Sequence, residues 1–348
     1  MSKLNKQLPV ILVDTSYWLY YRYFALRNWY NRAYPENIIA NPNYNSEHNW
    51  LEDEIFMCKY KKLFIDNIKK LCKLYKTVLS NTVFCIDCPH KEIWRCELTN
   101  EYKGTRLESH KKNQFNSFNI FSYIKKYFLP ELQTKCGIKI ADCSRCEADD
   151  IIGWSAPYLI NKNYKIIYIL GNDNDYLQIC NDKIILINGI GKSISRCDSS
   201  NSNSNNNSIS NNSSSNNNYK YIGEKYLISK ILLGDVSDNI KGCSIDTGFL
   251  NNNTNNNINN CSGEYKKINK SISNTIINNK EKYEKLQNIL EEIRRGNNNL
   301  KDITINNITI DSKIILDDKF KKNAILMDFK MIPNELKNNL EILFNKII

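Results

Sequence analysis

Val10–Leu26 reads VILVDTSYWLYYRYFAL. Four apolar residues, three of them β-branched, run straight into a carboxylate at Asp14; from Ser16 to Asn28 apolar and aromatic residues recur at helical spacing. A short apolar run ended by a polar stop predicts a buried strand, and the helical spacing after Asp14 predicts a helix. The same phrase recurs along the chain. Thr82–Asp87 is a second strand ending on Asp87, Ile138–Ala141 a short third, and Lys165–Leu170 and Lys183–Ile187 two more. Between them lie helical stretches. Glu52–Leu79 carries Ile55, Phe56, Leu63, Phe64, Ile68, Leu71 and Leu74 on one face and lysines on the other. Phe118–Leu129 is amphipathic, and a helix opening at Ser144 has Glu147 at capping-box spacing. Pro35–Asn49 is turn-rich and predicted to be a loop. Strands alternating with helices predict an α/β fold, a mainly parallel sheet flanked by helices. The last third is helical, over Tyr221–Leu233, Lys282–Arg295, Lys319–Phe329 and Asn334–Ile347.

The chain has 348 residues, 41% hydrophobic, with a net charge of +11. A basic body around acidic clusters suits a polyanionic partner. The opening MSKLNKQLPVILVD has an apolar run too short for a secretory signal, and no window of the chain can span a membrane. The twelve cysteines are therefore expected to be reduced, in a cytoplasmic or nuclear compartment. Two CxxC pairs, Cys85–Cys88 and Cys143–Cys146, offer a zinc site as the alternative to buried structural thiols. Residues 201–218 are Asn or Ser except Ile209, and 251–260 are Asn except Thr254 and Ile258, with polar sequence continuing to about Lys280. Both tracts are expected to be disordered inserts. The layout is an α/β core over 8–190 with a basic arch at about 91–117, an insert over 191–218, and a helical region over 219–348 interrupted at about 250–280.

Five acidic clusters appear in order: Asp14; Asp87; Glu147, Asp149 and Asp150; Asp173 and Asp175; Asp235 and Asp238. Each alone has a structural reading, as a helix cap or a turn residue. Together, at the ends of separate strands, they would converge on one sheet edge. Such a cluster stays ionised only beside strong positive charge, and Mg²⁺ is commonly held by a few carboxylates with water and phosphates. The set predicts a metal-dependent phosphodiesterase. Only three histidines exist, none in a nucleophile motif, which argues against a Ser–His–Asp set, and no Walker-type glycine loop is present, which argues against an NTPase.

The order and local strings resemble the 5′-nuclease family, which includes the 5′-nuclease domain of bacterial DNA polymerase I, bacteriophage 5′-exonucleases and flap endonucleases. The resemblance rests on VILVDTSYWLYYRYFAL, VFCIDC, CEADDIIG, LGNDNDYLQI, LLGDVSDNIKG and the closing NAILMDFKMIPNEL. It implies a PIN-like core, a helical DNA-binding region, and two Mg²⁺ or Mn²⁺ ions on Asp14, Asp87, Glu147, Asp149, Asp150, Asp173, Asp175, Asp235 and Asp238. WRCELTNEYKGTR resembles the family's arch entry. Lys103 and Arg106, on one helical face, would be the catalytic cations that polarise the scissile phosphate. Arg95 and Tyr102 would meet DNA, Tyr102 by stacking, and Lys111 and Lys112 would touch the passing strand. The family's glycine-rich hairpin, with its monovalent ion (K⁺), grips duplex phosphates; here IKGC runs into SIDTGFL and the Asn tract, leaving Gly242 and Gly248 as turn glycines.

The resemblance implies two-metal hydrolysis of DNA by a monomer, as a 5′→3′ exonuclease or 5′-flap endonuclease. Substrates would be flaps, forked or nicked duplex, or RNA–DNA primer junctions. A replication polymerase would act in trans, in a viral replication compartment if the chain comes from a large DNA virus. The rivals are a PIN-type ribonuclease and a non-catalytic, zinc-containing nucleic-acid-binding protein.

Overall fold

Five strands, β1 (Val10–Asp14), β2 (Thr82–Ile86), β3 (Lys139–Asp142), β4 (Ile167–Leu170) and β5 (Ile184–Ile187), form one sheet in the order β3-β2-β1-β4-β5, with every pair parallel. The computed structural model describes residues 3–99, 101–104, 117–195, 221–246, 265–296, 308–311, 314–316 and 319–348. Val10, Ile11, Leu12 and Val13 are each 0% exposed, because the central strand has neighbours on both sides and helices on both faces. Asp14 pairs in register with Cys85, and Val13 with Leu170. Asp14 therefore lies at the carboxyl edge, with Asp87 and Asp173 just past the ends of β2 and β4. β1 is also where strand order reverses, the crevice in which open α/β sheets bind ligands.

On one face α1 (Thr15–Ala33) begins directly at the end of β1, capped by Asp14. The predicted loop at 35–49 instead contains two short helices, α2 (Pro35–Ala40) and α3 (Tyr44–Glu47). Pro35 suits a first helical position, and Tyr44 stacks on His48 at 4.5 Å against the buried Trp50. α4 (Glu54–Leu74) stops short of Leu79 because Lys76 takes a left-handed φ of 52° and turns the chain toward β2. α5 (Trp94–Leu98) follows a 3₁₀ turn at His90–Glu92. α6 (Phe118–Tyr123) and α7 (Leu129–Cys136) are joined through a π-helical turn at Ile124–Phe128. Phe64, Ile68, Phe84, Ile124 and Leu170 fill the core of this face.

The other face is covered by α8 (Ala148–Asn161), with Ile151, Ile152 and Ala156 packed on the sheet. The chain then builds a second core around Ile228, Leu232, Leu286, Leu290 and Phe320, from α9 (Glu224–Leu233), α10 (Lys270–Asn278), α11 (Lys280–Arg295) and α12 (Lys319–Met327). α9 ends in a tight hairpin, β6 (Gly234–Asp235) with β7 (Ile240–Lys241). The region is helical as expected and carries one small sheet besides. β8 (Ser244–Asp246), β9 (Tyr265–Lys267), β10 (Ile308–Asp311) and β11 (Ile314–Leu316) form a small sheet of order β10-β11-β8-β9. The second insert is also ordered from residue 265, since Asn269 caps α10 by accepting from the Ile272 N–H and SISNTIIN buries Ile276 and Ile277. Residues 196–220 and 247–264 lie outside the described residues.

α13 (Asn334–Ile347) returns to the α/β half, where Leu336, Leu340 and Phe344 join the core beside α8. The Leu4 N–H donates to the Ile347 carbonyl at 3.1 Å. Among the described residues, no helix is long and apolar enough to cross a membrane.

Candidate active site

The acids fall into two groups. The first is built on the sheet edge. Asp14 Oδ1 accepts from the Tyr17 N–H at 2.9 Å. Asp87 accepts from Ser16 Oγ at 2.5 Å and from the Ala148 N–H at 2.9 Å, which docks the end of β2 onto the start of α8. Asp173 caps a 3₁₀ turn, Asn174–Gln178, by accepting from the Asp175 N–H at 2.9 Å. The Tyr176 hydroxyl donates to Asp149 at 2.5 Å and lies 3.3 Å from Asp14. Gly171 makes room for it, since a Cβ there would sit 2.9 Å from the Tyr176 ring. No lysine or arginine bonds directly to Asp14, Asp87, Asp149 or Asp173 among the described contacts. Burial, reinforced by Asp87 and Asp173, pushes Asp14 up to about 7. Asp149 is pushed well above the carboxylate range by burial and then by Asp173.

The second group is threaded with cations. Glu147 is the N-cap of α8, with Asp150 at N3 completing the capping box; the helix starts later than expected because Cys143–Cys146 closes a turn first. Glu147 accepts from Lys103 Nζ at 2.5 Å, the Tyr102 hydroxyl at 2.9 Å and Arg95 Nη1 at 3.3 Å. Burial opposes its ionisation, but Lys103 and Arg95 outweigh burial and hold it below its usual value. Asp175, Asp235 and Asp238 each bring one carboxylate oxygen within 4.8 Å of the others. Lys230 Nζ ion-pairs with Asp175, and with Asp235 at 2.8 Å. Burial raises Asp235, yet Lys230 and Ser237 together bring it down to about 2. Asp238 lies 3.9 Å from Lys103 Nζ.

Several expected roles change on this geometry. Asp150 is 0% exposed: Arg95 Nη2 lies 2.7 Å from Oδ1, and Arg95 Nη1, Trp94 Nε1 and the Glu147 N–H donate to Oδ2 at 2.9, 3.0 and 3.1 Å. It is the counter-ion of Arg95, not a group open to a metal. Arg95 is 3% exposed and also donates to the Leu326 carbonyl at 2.7 Å, so it faces the interior and not a DNA strand. Tyr102 is 4% exposed with its ring buried, which leaves no face for a base. Lys103 sits in a turn with a left-handed φ of 54°, held by its N–H to the Asp238 carbonyl at 3.0 Å, and not on a helical face. Arg106, Lys111 and Lys112 lie outside the described residues, as does Gly248. Gly242 is buried at a close approach, where a Cβ would be 2.3 Å from the Leu233 carbonyl oxygen; it seats the hairpin on α9.

Three contributors were not anticipated: Ser16, Tyr176 and Lys230. Ser16 and Tyr176 stand within two residues of predicted ligands, and Lys230 is five residues before Asp235. Proximity was the available signal. The zinc alternative finds no support: Cys85 is buried within β2, Cys143 and Cys146 close a turn, and no group of three metal-ligating side chains among the described residues includes a thiol. The oxygen-only donor set suits a hard divalent cation. Burial raises the Asp14 and Asp149 carboxyls, and a cation beside them would favour their ionised forms.

A family model described as 5′-3′ exonuclease, N-terminal resolvase-like domain, matches residues 9–209. Two curated relatives carry the name 5′-3′ exonuclease. That of Buchnera aphidicola subsp. Acyrthosiphon pisum (strain APS) is 30% identical over 181 residues, 51% of this chain and 51% of the relative. That of Buchnera aphidicola subsp. Schizaphis graminum (strain Sg) is 27% identical over 197 residues, 53% of each. The chain thus spans about half the length of the curated relatives it matches. Solved folds are similar over almost the whole chain. A bacteriophage T5 flap endonuclease in complex with DNA and metal ions gives a TM-score of 0.53 at 14% identity, covering 97% of this chain and 98% of that one. The T5 5′-exonuclease with zinc bound gives 0.50 at 14% identity, covering 97% and 99%.

Proposed function

Since this chain belongs to the 5′-3′ exonuclease N-terminal resolvase-like family, we propose that it is a metal-dependent nuclease that hydrolyses DNA as a 5′→3′ exonuclease and 5′-flap endonuclease. One observation carries the reading: Asp14, Asp87, Asp149 and Asp173 act on one another at the carboxyl edge of the sheet, and Asp175, Asp235 and Asp238 converge next to them. Asp14, Asp87, Asp149 and Asp173 are assigned to one divalent ion, and Asp175, Asp235 and Asp238 to a second. Bound there, Mg²⁺ or Mn²⁺ would supply an activated water and charge stabilisation for the leaving oxygen.

The chain's own residues do the rest. Tyr176 fixes the spacing of Asp14 and Asp149 by bridging them. Asp150 and Arg95 position the start of α8, and through it Glu147. Lys103, between Glu147 and Asp238, is the cation assigned to the scissile phosphate. Arg106 is assigned beside it from the arch-entry pattern alone. Lys111 and Lys112 are assigned to the DNA strand, and a monovalent ion to the region after Gly242. Flapped or nicked DNA is the substrate class.

The test is cleavage of a 5′-labelled flap DNA in Mg²⁺ or Mn²⁺ by the wild type and by Asp173→Ala. Cleavage by the wild type that disappears in the variant supports the reading. Binding of the fork without cleavage by either protein would leave a DNA-binding module in its place, and neither binding nor cleavage would end the functional claim.

A further inference from the structure

The two acidic groups balance their charge differently, and Lys230 is the reason. It stands in the last turn of α9, with its side chain 10% exposed. The chain leaves α9 through Gly234, whose φ is 76° and where a Cβ would meet the Gly242 nitrogen at 2.3 Å. That tight exit folds Asp235 back over the helix end. The lysine ammonium therefore reaches both Asp235, at 2.8 Å, and Asp175 from across the crevice. These are two of the three carboxylates that converge within 4.8 Å.

An ammonium and a divalent ion seek the same oxygens here. They cannot both sit among three carboxylates that close without strong repulsion. We propose that Lys230 is an internal competitor of the second divalent ion: it holds Asp175 and Asp235 together when the position is empty, must swing out for the ion to bind, and so sets that position's affinity below that of the first. At the first position no ammonium bridges two carboxylates among the described contacts, and Lys103 acts on Asp149 through its charge. This inference rests on the two-ion reading of the site.

Binding of Mn²⁺ to the full-length protein, followed by electron paramagnetic resonance of the free ion, tests it without reference to cleavage. The wild type is expected to bind one ion tightly and one weakly. Lys230→Met, which keeps the stem and removes the charge, is expected to strengthen the weak step by about tenfold and leave the tight step unchanged. Lys230→Arg, which keeps the charge and adds donors, is expected to leave the weak step as weak or weaker. An unchanged weak step in the Met variant, or a strengthened one in the Arg variant, overturns the proposal while the two-ion reading stands. A wild type that binds fewer than two ions overturns both. Should the Met variant fail to fold, Lys230→Gln takes its place with the same expectation.

Discussion

The two halves of the acidic crevice hold similar numbers of carboxylates and handle them in opposite ways. The sheet-edge half, with Asp14 and Asp149, has no ion-paired base among the described contacts and pushes its carboxyls upward. The half around Glu147 and Asp235 carries Lys103, Arg95 and Lys230, which hold these two acids below the ordinary carboxylate range. The sheet-edge half is thus unfavourable to its own fold and gains from a bound cation, whereas the cation-threaded half is part of the scaffold. Identical side-chain chemistry therefore predicts opposite mutational signs.

The largest expected effect is on cleavage. Asp149→Asn should lower metal-dependent DNA cleavage by about a thousandfold or more, because it removes one of the few fixed charges facing a metal; retention of most activity would break the functional half of the comparison. Next is Arg95→Met. It strands Asp150 as a buried charge and leaves Glu147 to Lys103 and Tyr102, a loss of about 3–5 kcal/mol measurable by denaturant unfolding. The third prediction sets two isosteres against each other in chelator. Glu147→Gln should destabilise the fold by roughly 2 kcal/mol, since it breaks a charge-assisted network. Asp149→Asn should stabilise it by on the order of 1 kcal/mol, since it removes a charge that burial opposes. The same sign for both would show that the halves do not differ.

A smaller effect concerns pH. Burial, and then Asp87, pushes the Asp14 carboxyl up to about 7 in the fold, from an ordinary value of 3.8. Between those values the folded state holds the extra proton, so this group's stability contribution falls as pH rises through the window. Glu147 and Asp235 run the other way, and theirs is lost only below the ordinary carboxylate range. Metal-free protein is therefore expected to melt a few degrees higher at pH 5.5 than at pH 7.5, and saturating Mg²⁺ should flatten the difference. The smallest is Arg145→Ala, which removes exposed pairs with Glu97 and Glu335 and should cost less than about 1 kcal/mol.

The sheet was legible because buried parallel strands announce themselves as short apolar runs. VILV, TVFCI and IIYIL needed no partner information to be recognised. The acids were legible because they stand where those runs stop. What each charge faces was not. Arg95 in a basic stretch looks like a phosphate contact, and nothing local shows that it reaches Glu147, Asp150 and a carbonyl at Leu326, over two hundred residues away in the chain. Lys230 looks like an ordinary helical lysine until the Gly234 turn is folded. The order at 265–280 was hidden because Asn is both the residue of the tract and a good helix cap, so composition masked Asn269.

The bond from Leu4 to Ile347 and the packing of Leu336, Leu340 and Phe344 beside α8 have a consequence for biosynthesis. A ribosome releases the sheet strands first, yet one face of that sheet keeps a gap until α13 has emerged. The α/β half therefore completes this face only after the helical region that lies between its parts has been translated.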